Sequence, residues 1–113
     1  MCGRDLLQLQ ERVADIRVDQ RLVDYALSLV EATRAHDHLQ VGVSPRGTIA
    51  LIRAAQALAL LSGRDFAVPD DVKSLFLPVC AHRVVGKGYL HDGHAVSVEQ
   101  VLNEILRSVA VPE

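Results

Sequence analysis

The sequence contains no tryptophan and only four aromatic residues, Tyr25, Phe66, Phe76 and Tyr89. The core of this 113-residue chain must therefore come from its Leu, Val, Ile and Ala. That composition favours packed helices over an aromatic-rich β-sandwich. Cysteine is equally scarce. Cys2 and Cys80 are too few and too far apart for a disulfide framework, and free thiols suit a reducing compartment. Neither sign of charge dominates. The net charge is −2 and the pI about 6.2, so the strong field that nucleic acid or an anionic membrane would call for is absent. The longest apolar stretch, Thr48 to Leu61, is broken by Arg53 and Gln56 and is too short to span a bilayer. Near the N-terminus Asp5 and Glu11 stand where a secretory signal would be apolar. These absences predict a single cytoplasmic domain over residues 1–113, with no nucleic-acid or membrane partner.

What the sequence does contain is helical periodicity. Leu6, Leu9, Val13 and Ile16 recur on one face of a short amphipathic helix over 5–16. Asp19 suits the N-cap of the next helix, whose stripe is Leu22, Ala26, Leu29, Val30 and Thr33, broadened by Val23 and Leu27. His36, Asp37 and His38 mark its end, and Leu39 to Val43 reads as a brief extended or turning segment. Ser44 and Pro45 then read as N-cap and first helical residue: the hydroxyl can accept from a free N–H, and proline has none to lose. From Ile49 to Leu61 the helix is apolar almost all round, with Arg46, Arg53 and Gln56 on one narrow stripe. This predicts a central helix over 45–61, touched on several sides, with Ile49, Leu58 and Leu61 out of solvent. Gly63 suits a left-handed C-cap. Pro69, Asp70 and Asp71 start a further helix with buried face Val72, Leu75, Phe76 and Val79, and Pro78 predicts a break near Leu77 with a restart toward His82. Gly86, Gly88 and Gly93 make residues 84–95 a loop. Ser97 to Gln100 fits a capping box for a last helix with stripe Val98, Val101, Leu102, Ile105 and Val109. The sum is an all-α small bundle of about five helices, with no clear strand.

Arg46 is out of place in this pattern. A helix N-terminus carries partial positive charge and prefers anions. A permanent cation in the first turn makes sense if an anion comes to sit there, met by free N–H groups and by a guanidinium that can bond two phosphate oxygens. The plain alternative is an exposed surface arginine with no ligand.

The fragments Ala32-Thr33-Arg34, Gly42-Val43-Ser44-Pro45-Arg46, Ala54-Ala55-Gln56-Ala57, Gly63-Arg64-Asp65-Phe66, Pro69-Asp70-Asp71-Val72 and His82-Arg83 occur in this order. The series resembles the C-terminal lid domain of the MoxR-type AAA+ ATPases, closely over 18–85 and more loosely in the flanking helices. The resemblance implies a helical lid covering an ATP site on an α/β core domain. Its sensor-2 arginine, which reaches the γ-phosphate, would be Arg46 of the Gly-x-Ser-Pro-Arg motif, with Ser44 and Pro45 beside it. It also implies ATP and Mg2+ as cofactors of the whole enzyme, hexameric rings of subunits, and chaperone-like remodelling of client proteins. The chain has no Gly-x-x-x-x-Gly-Lys-[Ser/Thr] phosphate loop. The resemblance therefore points to a fragment of a longer ATPase whose core is not in this sequence, and by itself the fragment is expected to bind no cofactor and hydrolyse no ATP.

Other candidates have simpler readings. Arg53 lies about two turns after Arg46 on nearly the same side. It could support the phosphate site, but a solvated arginine is the simpler account. Arg34 and Arg64 are expected in salt bridges or caps on local carboxylates such as Asp65 or Asp70. His36 with His38, and His91 with His94, offer nitrogen ligands without a companion cysteine at zinc spacing, so no metal site is expected. His82 and Arg83 suit a helix end. Cys80 beside His82 lacks a third, orienting group for nucleophilic work. Two other functions compete: a stand-alone helical protein–protein interaction module without nucleotide chemistry, and a DNA-binding domain using 45–63 as a recognition helix. The apolar circumference of that helix argues against the second.

Overall fold

The structure, a computed structural model, describes residues 3–36, 39–86 and 97–112. Five helices follow one another: α1 (Gly3–Ala14), α2 (Gln20–Ala35), α3 (Pro45–Leu61), α4 (Pro69–Cys80) and α5 (Val98–Ser108). The expected all-α bundle is therefore the observed fold. It carries one small addition, a two-stranded antiparallel ribbon of β1 (Leu39–Val41) and β2 (Val85–Gly86). Part of the segment expected to be a loop thus pairs as a strand, with Val41 opposite Val85 and Leu39 opposite Gly86. The rest of that segment, with its remaining glycines, lies outside the described residues.

Helix α3 packs most extensively on α4 and also meets α1 and α2, while α5 closes the bundle against α2 and α4. Its central position follows from a stripe of Gly47, Thr48, Leu51, Ala55 and Ala59 facing inward. The small residues let α4 approach with Val72, Phe76 and Cys80, all fully buried. Leu22, Tyr25, Ala26, Leu29, Val30 and Thr33 of α2 and Val101, Leu102 and Ile105 of α5 complete the core.

Three expectations about helices fail. Ile49 and Leu61 are 55% and 81% exposed, and Leu58 is half-buried, so α3 is not enclosed all round. Its neighbours occupy only the side centred on Leu51, Ala55 and Ala59. Ile49 falls with Arg46 and Arg53 on the opposite side, and Leu61 is the last residue of the helix. Pro78 does not break α4, which runs through it to Cys80, followed by turn residues and no restart. The proline sits in the last turn, where its missing donor leaves only the Ser74 carbonyl unclaimed. Ser74 and Pro78 are both exposed, so that carbonyl lies on the solvated side. Helix α1 ends at Ala14, two residues before the expected Ile16. Leu6, Leu7 and Leu9 stay exposed, while Ile16 enters the core from the turn that follows.

The link between α1 and α2 is strapped to the link between α3 and α4. The Arg17 N–H donates to the Asp65 carbonyl and the Ala67 N–H to the Arg17 carbonyl, both at 2.9 Å. Gln56 donates its Nε2 to the Ile16 carbonyl at 2.8 Å, which removes it from the polar stripe expected with Arg46 and Arg53. Gly63 takes φ +80° after α3, the left-handed C-cap that glycine permits. Ser97 and Gln100 form the expected capping box at α5, and the Asp19 carboxylate caps α2 through the Arg21 N–H at 2.8 Å.

Candidate anion-binding face at the start of helix α3

The site begins at the end of α2. Thr33 is fully buried. Its hydroxyl donates to the Val30 carbonyl and accepts from the Val43 N–H at 2.9 Å. The next residue, Arg34, donates its Nε–H to the Val43 carbonyl at 2.9 Å. Consecutive α2 residues thus satisfy both backbone groups of Val43. Gly42 makes this possible: a Cβ there would sit 2.7 Å from the backbone N and Cα of Arg34. Arg34 therefore holds a main-chain carbonyl, and the carboxylate partner expected for it is not its role.

Val43 is itself fully buried and presses on the first turn of α3. A Cβ at Gly47 would come within 2.2 Å of Val43 Cγ1 and 3.4 Å of Arg83 Cδ. Gly47 is therefore a site of close approach, and Arg83, singled out in the sequence as a helix-end residue, lies with its stem over that same turn.

At the mouth of α3, Ser44 has the extended N-cap conformation and Pro45 the first helical position, as expected, but the Ser44 hydroxyl makes no cap hydrogen bond. The residue is exposed and its carbonyl instead accepts from the Gly47 N–H at 2.9 Å. No acidic residue occupies the first turn of α3, whereas α4 has Asp70 and Asp71 there and α5 has Glu99. Arg46 is exposed, and no hydrogen bond or ion pair to it occurs among the described residues. Arg53 is likewise exposed and without such a partner among them. The result is an open, uncompensated positive helix end carrying one guanidinium, with a second about two turns along the same side. Chemically it can accept phosphate oxygens. The exposed acids needed to hold a divalent cation are missing from that turn.

Several other sequence candidates take structural roles. Arg64 pairs with Asp71 and not with Asp65 or Asp70: Nη2 to Oδ1 is 2.7 Å and Nη1 to Oδ2 is 2.9 Å. Asp71 also accepts from the Val68 N–H at 2.8 Å, closing the start of α4. Burial would raise the Asp71 carboxyl, but the Arg64 and Val68 bonds outweigh it and hold the group below its ordinary value. The same pair raises Arg64. Cys80 is fully buried, and burial pushes its thiol up to about 11, so pairing with the exposed His82 gives no nucleophile. His36 lies 3.7 Å from Glu104, while His38, His91 and His94 fall outside the described residues. Among those residues no three His, Cys, Asp or Glu side chains gather as a metal set, and no helix is long and apolar enough to cross a membrane. For a DNA recognition helix, α3 offers two exposed arginines separated by the exposed Ile49, too few for a groove-reading face.

The sequence and the overall fold both have counterparts among known proteins. The AAA lid domain model matches residues 31–105. The chain belongs to the AAA lid domain family. It is 40% identical to the uncharacterized YeaC protein of Bacillus subtilis, over 96% of this chain and 33% of that protein. It is 39% identical to the chaperone MoxR1 of Mycobacterium tuberculosis, over 96% of this chain and 31% of that one. The crystal structure of a candidate ATPase from Cytophaga hutchinsonii superimposes with a TM-score of 0.88 at 27% identity, covering 97% of this chain and 36% of that one. These likenesses make the chain a MoxR-type AAA+ lid. This lid spans about a third of the length of the relatives it matches.

Sequence reasoning missed the bonds of Thr33 and Arg34 to Val43: it places Thr33 only in the buried stripe and Arg34 with local carboxylates. A signal was present: a hydroxyl at a core position of an otherwise apolar stripe needs a partner when buried, and Val43 supplies it. The Arg64–Asp71 pair was hidden because Asp71 is the farthest in sequence of the three nearby acids, Asp65, Asp70 and Asp71, and only the turn of α4 decides which carboxylate faces inward.

Proposed function

We propose that this lid covers the ATP site of an AAA+ core domain and that Arg46 meets the γ-phosphate as the sensor-2 arginine. The observation that carries the reading is the state of the α3 mouth. Its first turn has no acid and no side-chain cap, and its one guanidinium has no partner among the described residues. A triphosphate fits such a place: oxygens would be met by the Arg46 guanidinium and first-turn N–H groups, with the Ser44 hydroxyl within the same turn. Pro45 contributes a fixed φ and no donor. Arg53 stands farther along the same side as a secondary contact. Mg2+ would be held by the core, since this turn offers no carboxylate.

Loss of the γ-phosphate on hydrolysis would release Arg46 and let the lid rotate, a movement that couples nucleotide state to work on a client. Ring assembly with neighbouring subunits and chaperone-like remodelling are part of the same proposal, supported by the likeness to the chaperone MoxR1. The lid alone is expected to bind ATP very weakly and to release no phosphate.

The direct test joins the lid to its core and follows the backbone amide resonances of Arg46 and Gly47. A non-hydrolysable ATP analogue should shift both, and ADP should shift them much less. Equal shifts with the two nucleotides, or none with either, would contradict the reading.

A further inference from the structure

We propose that Thr33 is a positioning residue for the Arg46 site, with Arg34 as its partner: together they latch the start of α3 onto the end of α2. This rests on the sensor-2 reading of Arg46. The chain of contacts is short and continuous. The Thr33 hydroxyl, fully buried, accepts the Val43 N–H at 2.9 Å while donating to the Val30 carbonyl. Arg34 takes the Val43 carbonyl at 2.9 Å. The Gly42 backbone rests on the Arg34 backbone, and the Val43 side chain fills the space over Gly47, next to Arg46.

Three properties make this a device for placing Arg46 and more than ordinary packing. First, both polar groups of Val43 are held by side chains of α2, so the turn follows α2 when that helix moves. Second, no Cβ can be accommodated at Gly42 or Gly47 without displacement, because the first would meet the Arg34 backbone and the second the buried Val43 side chain. Third, the Ser44 hydroxyl does not cap α3, so the helix start takes its position from the Val43 side and not from its own N-cap. A guanidinium–phosphate contact depends steeply on distance and angle. A buried Val43 N–H without its acceptor would pull the turn toward another partner, and Arg46 would move with it.

The test uses the ATPase that carries this lid with its core. Thr33→Val removes the hydroxyl and keeps the shape. Turnover should fall roughly tenfold to a hundredfold, as expected when a reacting contact is displaced by about an ångström, and discrimination of ATP from ADP should weaken in the same direction as in Arg46→Ala. Thr33→Ser, which restores the hydroxyl, should recover most of the loss. In an Arg46→Ala background Thr33→Val should add less than about twofold, because the two act through one contact. Arg34→Met, at an exposed position, gives the same readings if Thr33→Val does not fold. If Thr33→Val lowers turnover as much without Arg46 as with it, the role is structural and the proposal is overturned. If Arg46→Ala itself changes nothing, the sensor-2 reading falls. The latch is then decided in the lid by amide exchange and chemical shift. Thr33→Val should speed Val43 exchange about tenfold or more and displace the Arg46 amide resonance, and an unmoved Arg46 resonance would overturn it.

Discussion

The Arg64–Asp71 pair combines two direct bonds with a backbone bond to Val68, and Asp71 is 3% exposed. Asp71→Asn should cost about 1.5–3 kcal/mol, the range for hydrogen bonds to charged groups, read as a lower denaturation midpoint at pH 7. The sign of the pH dependence follows from the lowered folded-state pKa. The stabilisation is full above the unfolded-state value of ~3.9 and is lost as the pH falls through the lower folded value. In Asp71→Asn that acid limb of the stability profile should flatten, and an unchanged limb would contradict the assignment. Gly47 sets two effects against each other. Alanine gains about 1 kcal/mol in helix propensity, but its Cβ would lie 2.2 Å from a buried Val43 methyl. Overpacking of that kind costs about 1–3 kcal/mol, so Gly47→Ala should be net destabilising in urea unfolding. Cys80 supplies a chemical check. Its thiol is buried and raised to about 11, so in a Cys2→Ser background a disulfide reagent at pH 8 should react only after denaturant unfolds the chain. Rapid reaction in the native state would mean that α4 packs differently.

The capping box at α5 provides the clearest prediction for a single element. The Ser97 hydroxyl accepts from Gln100 N–H at 3.1 Å, and Gln100 returns a longer bond to Ser97 N–H at 3.4 Å. Ser97→Ala should cost about 1 kcal/mol, seen as a lower melting temperature with helix content otherwise preserved. How legible each element was in the sequence depends on how local its cause is. The caps at Asp19, Ser97 and Gly63, and both ends of α3, follow from residues a few positions apart and were readable. The exposure of Ile49 and Leu61 was not, because an apolar circumference states what a helix could bury and only its neighbours decide what it does bury. Pro78 misled for a related reason: the penalty of a proline depends on whether the orphaned carbonyl is buried, and the Ser74 carbonyl lies on a solvated side. The β1–β2 ribbon pairs segments far apart in sequence, with no alternating pattern to announce it. In the candidate site, the placement of Arg46 at the mouth of α3 was readable, whereas the Thr33–Val43 hydrogen bond joins two elements and no local spacing encodes it.

For the whole molecule, the fold leaves one side of α3 open along Arg46, Ile49 and Arg53 while burying the opposite side in the bundle. That division suits the lid role proposed above, with a packed body behind and an open edge carrying two arginines in front. On the reading proposed above, Arg46 senses the γ-phosphate. The measurement that tests it most directly is ATP turnover and ATP-over-ADP preference of Arg46→Ala, with Arg53→Ala as the control, in this lid joined to an AAA+ core domain. Arg46 is exposed in the first helical turn, so the substitution should shift stability by no more than roughly 0.5 kcal/mol and leave the nucleotide-free melting temperature unchanged. The lost charge-assisted contact is worth about 1.5–3 kcal/mol, so turnover or ATP preference should fall more than tenfold, with a milder effect from Arg53→Ala. Wild-type turnover and unchanged preference in a folded Arg46→Ala enzyme would contradict the account.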